Sequence, residues 1–285
     1  MFQALFRCHE REWKDHRYVY AGVSRRSRGV SLGINLNPGK GCNFDCIYCQ
    51  VNRNVPPAFR KVDLGRLSRE LDRILQAEKD GSLYESAPFN LLASGERGVR
   101  DIAFSGDGEP TTFPRFDKAV QIAAGARRSF GLDAAKLILL TNAAYLDKPA
   151  VCAALSVLDE NNGEIWAKLD AGTDEYFRTV NRADVSLQRI LDNILGASRV
   201  RPIVIQSLWV RIRGQAPPAR EIEAYCRNLN GLLAAGGRLK SLQLYTIARD
   251  PADPSASPLS NDELDRIAST VQNQVPASVE IFYGI

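Results

Sequence analysis

The chain contains no run of eighteen apolar residues, so it carries no segment with the length and hydrophobicity of a membrane span. Its first ten residues hold charges and no long apolar core, which excludes the pattern of a secretory signal. The expected compartment is the cytoplasm, with no membrane partner. Histidine is limited to His9 and His16. A zinc site completed downstream by a histidine pair is therefore missing. Internal repeats and low-complexity tracts are absent too.

What is present is ordinary for a folded protein. At 285 residues, 45% hydrophobic and 25% charged, the chain can bury a core of one large α/β domain or two small ones. The formal charge is only +4. Basic residues gather near the start, at Arg7, Arg11, Lys14, Arg17, Arg25, Arg26 and Arg28, diluted by Glu10, Glu12 and Asp15. That segment reads either as a solvated face or as an arm that neutralises phosphates of a nucleic acid; both readings stay open.

Short apolar runs alternate with longer amphipathic stretches. Strands are expected at 32–36, 101–105, 136–141, 164–169, 203–210, 241–247 and 279–283. Helices are expected at 64–78, 114–128, 148–158, 187–198, 219–235 and 261–274, with a shorter helical piece at 175–180. Acids at Asp262 and Glu263 suit a helix start, and 95–98 and 250–258 read as loops. Strand–helix alternation implies right-handed crossovers and a parallel sheet. The expected fold is α/β, a partial (β/α)6-type TIM barrel with parallel strands. It would occupy 31–285 as one domain, with 1–30 as an N-terminal extension.

Six cysteines occur, and reduced cytosolic thiols do not pair into a disulfide framework. Cys8, Cys152 and Cys226 are scattered, the last two in helix-like stretches. Cys42, Cys46 and Cys49 are crowded into one loop after the first expected strand, spaced Cys-x3-Cys-x2-Cys. Pro38, Gly39 and Gly41 break regular structure there, so the thiolates can converge. Three soft thiolates suit iron–sulfur or zinc. Structural zinc takes four ligands, and no fourth is evident. A four-iron cubane with three ligands leaves one iron open to a small molecule, which is the reading the pattern favours. A zinc site and a redox pair at Cys46 and Cys49 stand as alternatives.

Cys42-x3-Cys46-x-Tyr48-Cys49, with an aromatic before the last cysteine, resembles the signature loop of radical S-adenosylmethionine (SAM) enzymes. The resemblance implies a [4Fe–4S] cluster with metal ligands Cys42, Cys46 and Cys49. Its open iron would chelate the amino and carboxylate groups of SAM. One electron would break the sulfonium bond to the 5′ carbon, and the 5′-deoxyadenosyl radical so formed would take a hydrogen atom from a substrate not identified here. Tyr48 would lie against the adenine, its plain alternative being packing. The partners implied are SAM, that substrate and a low-potential electron donor such as flavodoxin or ferredoxin.

The second strand of the barrel runs into Gly106-Asp107-Gly108-Glu109. Two glycines let backbone approach a ligand, and Glu109 can accept from an ammonium group. The segment resembles the superfamily's Gly-Gly-Glu motif, with Asp107 at one glycine position, which implies contact with the amino group of SAM. Thr141-Asn142-Ala143 is similar to the family's Thr-Asn-Gly. Lys168 and Asp170 stand where relatives place SAM- or substrate-facing groups, or else form a structural ion pair. Gln206 and Ser207 are weaker candidates. Ile247 would pack the adenine and Arg249 face an anion.

Segments 31–38, 108–111 and 243–249 resemble the wyosine-tRNA-synthesis-like branch of the superfamily. The resemblance implies a radical SAM enzyme. A tRNA-modifying enzyme, an activase for a partner protein and a non-catalytic metal-binding regulator are the alternatives.

Overall fold

The structure, a computed structural model, describes residues 13–284. Arg7, Arg11, Cys8, His9, Glu10 and Glu12 lie outside the described residues. The chain separates into two compact units, one formed by 13–42, 56–140 and 148–164, the other by 43–55, 141–147 and 165–284.

The first unit begins with a hairpin. Strand β1 (Val19–Ser24) pairs antiparallel with β2 (Gly29–Ile34), Val19 opposite Ile34. Helix α1 (Leu64–Lys79) then leads to β3 (Val99–Phe104), parallel to β2, and α2 (Phe116–Ser129) leads to β4 (Lys136–Thr141), parallel to β3. Helix α3 (Pro149–Asp159) follows. In α1 the residues Leu64, Leu67, Leu71, Ile74 and Leu75 recur at helical spacing and are buried, each contributing roughly 1.5–3 kcal/mol. Asp63 caps the helix, accepting from the N–H of Arg66.

Glu70 lies at the edge of the same buried face, toward the chain entering β1. It is 2% exposed. Its carboxylate accepts from the backbone N–H of Arg17 at 2.9 Å, Tyr18 at 2.8 Å and Val19 at 3.2 Å, and from Arg66 Nε at 2.6 Å. Burial alone would raise its pKa; Arg66 and the three amides outweigh that and hold it low.

The second unit continues the alternation of strands and helices. Strand β5 (Gly163–Lys168), all but its first two residues, is followed by α4 (Asp174–Asn181) and α5 (Leu187–Val200). Then come β6 (Ile203–Leu208), the short β7 (Val210–Ile212), α6 (Ala219–Ala234) and β8 (Leu239–Tyr245). The short β9 (Ala256–Pro258), α7 (Asn261–Gln274) and β10 (Val279–Phe282) complete the unit. β5, β6, β8 and β10 pair in that order, all parallel. Parallel strands joined by helical crossovers make the α/β fold of partial-barrel type expected from the sequence.

Two departures from the expected elements have a physical cause. The strand expected over 203–210 breaks at Trp209, whose fully buried indole packs edge-on to Tyr225 at 5.2 Å. The backbone N–H of Trp209 bonds the carbonyl of Tyr245, and β7 then turns aside to pair antiparallel with β9, inside the expected loop. The other is β1. Its strand character was hidden by the basic residues of the hairpin turn, Arg25, Arg26 and Arg28.

Candidate functional site

The carboxyl end of β2 runs through Asn35–Gly41 into Cys42, with Lys40 in the left-handed region at φ +59°. In the first unit this segment meets the glycine turn after β3. Asn35 Nδ2 donates to Asp107 Oδ2 at 2.7 Å, and Asn35 Oδ1 accepts from the N–H of Asn37 and Asp107. A Cβ on Gly106 would lie 2.5 Å from Asn35 Oδ1, and one on Gly108 2.1 Å from the carbonyl of Gly41. Both glycines are therefore required by the approach of the Asn35–Gly41 segment itself. Glu109 is 4% exposed and caps the next turn, its Oε1 accepting from Thr111 Oγ1 at 2.6 Å and from the Thr111 N–H.

The rest of the cysteine loop belongs to the second unit. Cys46 and Cys49 are half-buried and joined by a turn, Cys49 N–H to the Cys46 carbonyl at 2.9 Å. The two residues flanking Cys46 hang on the end of α4: Asp45 N–H bonds the Asn181 carbonyl at 3.2 Å, and Ile47 N–H bonds the Val180 carbonyl at 2.9 Å. These carbonyls have no partner inside the helix, so the loop uses a terminus that would otherwise face water. On the far side, Ala252 N–H bonds the carbonyl of Cys49 and Gln50 Nε2 that of Arg249.

Beneath the loop lies a buried polar network. Asp170 is 1% exposed. It accepts from the Tyr48 hydroxyl, from Asn181 Nδ2 at 3.0 Å and from the Leu208 N–H at 2.8 Å, and it pairs with Lys168 Nζ at 3.0 Å. Lys168 also donates to the Tyr245 hydroxyl at 2.6 Å and stands 4.8 Å from the ring centroids of Tyr48 and Tyr245. Burial would strip its proton, but Asp170 and Tyr245 outweigh burial and raise its pKa. Burial, then the Asp170 charge, drives the Tyr48 hydroxyl well above its usual value. The thiol of Cys46 is pushed up to about 12 by burial and by Asp170, against bonds from Tyr48 and Asn181.

The candidates read from sequence thus fall into two groups. Cys42, Gly106, Asp107, Gly108 and Glu109 lie in the first unit. Tyr48, Cys46, Cys49, Asn142, Lys168, Asp170 and Ile247 lie in the second. Lys168 and Asp170 do form an ion pair. Asn142 Nδ2 donates to Asn43 Oδ1 at 2.8 Å, holding the loop just after Cys42. Ile247 packs in an apolar cluster with Ile47, Val180 and Tyr245. Gln206 is bonded to Gln243, and Ser207 to the Leu169 carbonyl and Tyr225. Sequence reasoning missed Asn35, Asn181 and Tyr245. Asn35 lies within the 31–38 segment already singled out, whereas Asn181 has no motif around it.

No disulfide joins the described cysteines. Among the described residues, no three His, Cys, Asp or Glu side chains gather as one ion would require. The thiols do fit a larger thiolate-bound group. Asn181 Nδ2 lies 3.5 Å from Cys46 Sγ, and Arg53 Nη1 lies 3.7 Å from Cys49 Sγ, so two sulfurs face N–H donors that favour a charged sulfur. Also in the second unit, a cavity of about 520 Å³ opens beside Ile47, with Arg182, Arg213 and Gln215 in its lining, a size suited to a small ligand. Among the described residues, no helix is long and apolar enough to cross a membrane.

The model of the radical SAM superfamily matches residues 36–210. The chain belongs to the radical SAM superfamily. It is an enzyme of a family that works with a [4Fe–4S] cluster and SAM. A UPF0026 protein of Helicobacter pylori is 26% identical over 251 residues, 86% of this chain and 71% of that protein. A UPF0026 protein of Methanocaldococcus jannaschii is 25% identical over 179 residues, 62% and 48% of the two chains. Among solved structures, TYW1 with a lysine–pyruvate adduct bound gives a TM-score of 0.54 at 16% identity, covering 87% of this chain and 74% of the other. A spore photoproduct lyase variant with dinucleoside spore photoproduct gives 0.52 at 11% identity, covering 85% and 74%. At those identities the likeness is one of fold.

Proposed function

We propose that Cys42, Cys46 and Cys49 hold the [4Fe–4S] cluster and that the protein uses it to cleave SAM reductively. The observation that carries this reading is the three-cysteine loop inside the matched segment, with N–H donors on Cys46 and Cys49. A cluster held there would supply the electron for reductive cleavage of the SAM sulfonium and so start radical chemistry on the substrate.

The chain's own residues prepare the place. Gly106, Asp107, Gly108 and Glu109 offer backbone and carboxylate acceptors to the SAM ammonium. Lys168, held charged by Asp170 and Tyr245, offers a cation to an anionic group of SAM or substrate. Asn142 and Tyr48 fix the loop on either side of Cys46, and Ile247 supplies an apolar surface for adenine. A flavodoxin- or ferredoxin-type protein would deliver the electron.

The test is anaerobic reconstitution with iron and sulfide, followed by reduction with dithionite and assay for 5′-deoxyadenosine from SAM. Four irons per chain and formation of the nucleoside are expected. Zinc without iron in anaerobically purified protein, or an intact reduced cluster that releases no 5′-deoxyadenosine, would overturn the reading.

A further inference from the structure

Asn181 ends α4 and is 2% exposed. Its amide nitrogen faces three groups: Asp170 Oδ2 at 3.0 Å, the Tyr48 hydroxyl at 3.4 Å and Cys46 Sγ at 3.5 Å. One of these, the Asp170 carboxylate, only accepts and would repel the amide oxygen, so the orientation of the side chain is fixed by that neighbour. The amide oxygen is buried and has no hydrogen-bond partner. An unmade bond of that kind costs stability, and a leucine at the same position would avoid it. The backbone bonds from Asp45 and Ile47 already fasten the loop to α4 without any help from this side chain. Besides its bond to Asp170, the side chain supplies an N–H aimed at the Cys46 sulfur.

We infer that Asn181 is a positioning residue that raises the reduction potential of the cluster through its N–H to Cys46 Sγ. The inference rests on the assignment of Cys46 as a cluster ligand. A reduced cluster carries one more negative charge, spread in part over its sulfurs. A hydrogen-bond donor on a sulfur stabilises that form more than the oxidised one. The donor is directed because its second hydrogen is held by Asp170, itself fixed by Lys168 and the Leu208 N–H. Arg53 at Cys49 is a weaker lever. It is more exposed, its sulfur contact is longer, and its charge is shared with Asp45 at 3.3 Å.

The experiment is an EPR-monitored redox titration of reconstituted wild type, Asn181→Leu and Asn181→Val, with iron counted in each. Loss of the donor should make the one-electron reduction about tenfold less favourable, a midpoint about 59 mV more negative, and Asn181→Thr, which restores a hydroxyl donor, should recover part of the shift. The titration needs neither SAM nor substrate. A wild-type protein that assembles no four-iron cluster would overturn the functional reading, and this inference with it. A loaded wild type whose apolar variants share its midpoint would overturn the inference alone. So would loss of the cluster from both apolar variants, since that is the behaviour of a purely structural clamp.

Discussion

Lys168 and Asp170 form a buried ion pair, Nζ 3.0 Å from Oδ1, at the end of β5. Neither group has much water to fall back on: the side chains are 17% and 0% exposed. Removing one partner strands the other charge. Asp170→Asn is expected to lower unfolding stability by about 3–5 kcal/mol, read from urea denaturation. Lys168→Met in the Asp170→Asn background should recover part of that loss, because it removes the stranded ammonium.

Glu70 gives a pH-dependent prediction. Its carboxyl is depressed below 4.5 in the folded state, so the folded state binds its proton less readily than the unfolded chain. The stabilisation is fully present above pH 4.5 and is lost as the pH falls through the folded value. Glu70→Gln should cost about 1.5–3 kcal/mol at pH 7. The gap between variant and wild type should narrow as urea midpoints are followed down to pH 3.

Asp101 has the opposite sign. Burial raises its pKa, with the hydroxyls of Ser27 and Ser31 pulling it back, and its Oδ2 is buried without a hydrogen-bond partner. A carboxyl raised in the folded state stabilises below its unfolded value near 3.8 and loses that contribution as the pH rises through the folded value. Asp101→Asn is expected to gain on the order of 1 kcal/mol at pH 7 and nothing at pH 3, measured by the same urea series.

The proposed cluster gives the cysteines separate roles. Alanine at Cys42, Cys46 or Cys49 should each abolish stoichiometric iron loading and the visible absorbance of the reconstituted cluster. Cys152→Ala, on an exposed face of α3, should load as wild type does. Iron retention by a Cys46→Ala protein at wild-type level would remove that residue from the ligand set.

Much of the fold was legible because it rests on period. Leu64, Leu67, Leu71 and Ile74 announce α1, and the run 136–141 announces β4. The cysteine loop was legible because three thiols in eight residues have few uses. What stayed hidden depends on tertiary neighbours. The meaning of Asn181 comes from Asp170 and Cys46, eleven and 135 residues away in sequence. The two glycines of 106–108 were read as room for a ligand, yet each is already demanded by Asn35 or Gly41 pressing against the turn. The break at Trp209 follows from the buried position of its indole beside Tyr225, which a hydrophobic run cannot reveal.

Hanging the loop on the carboxyl end of α4 has an electrostatic consequence. That end is the negative pole of the helix dipole, and the carbonyls of Val180 and Asn181 are aimed at the residues on both sides of Cys46. A helix so placed opposes the arrival of an electron on that sulfur, as does the carboxylate of Asp170. The amide of Asn181 and the ammonium of Lys168 are the positive elements set against them. With Cys46 as the proposed ligand, the ease with which the cluster accepts an electron would depend on a balance of dipoles and charges at the end of α4 and the end of β5.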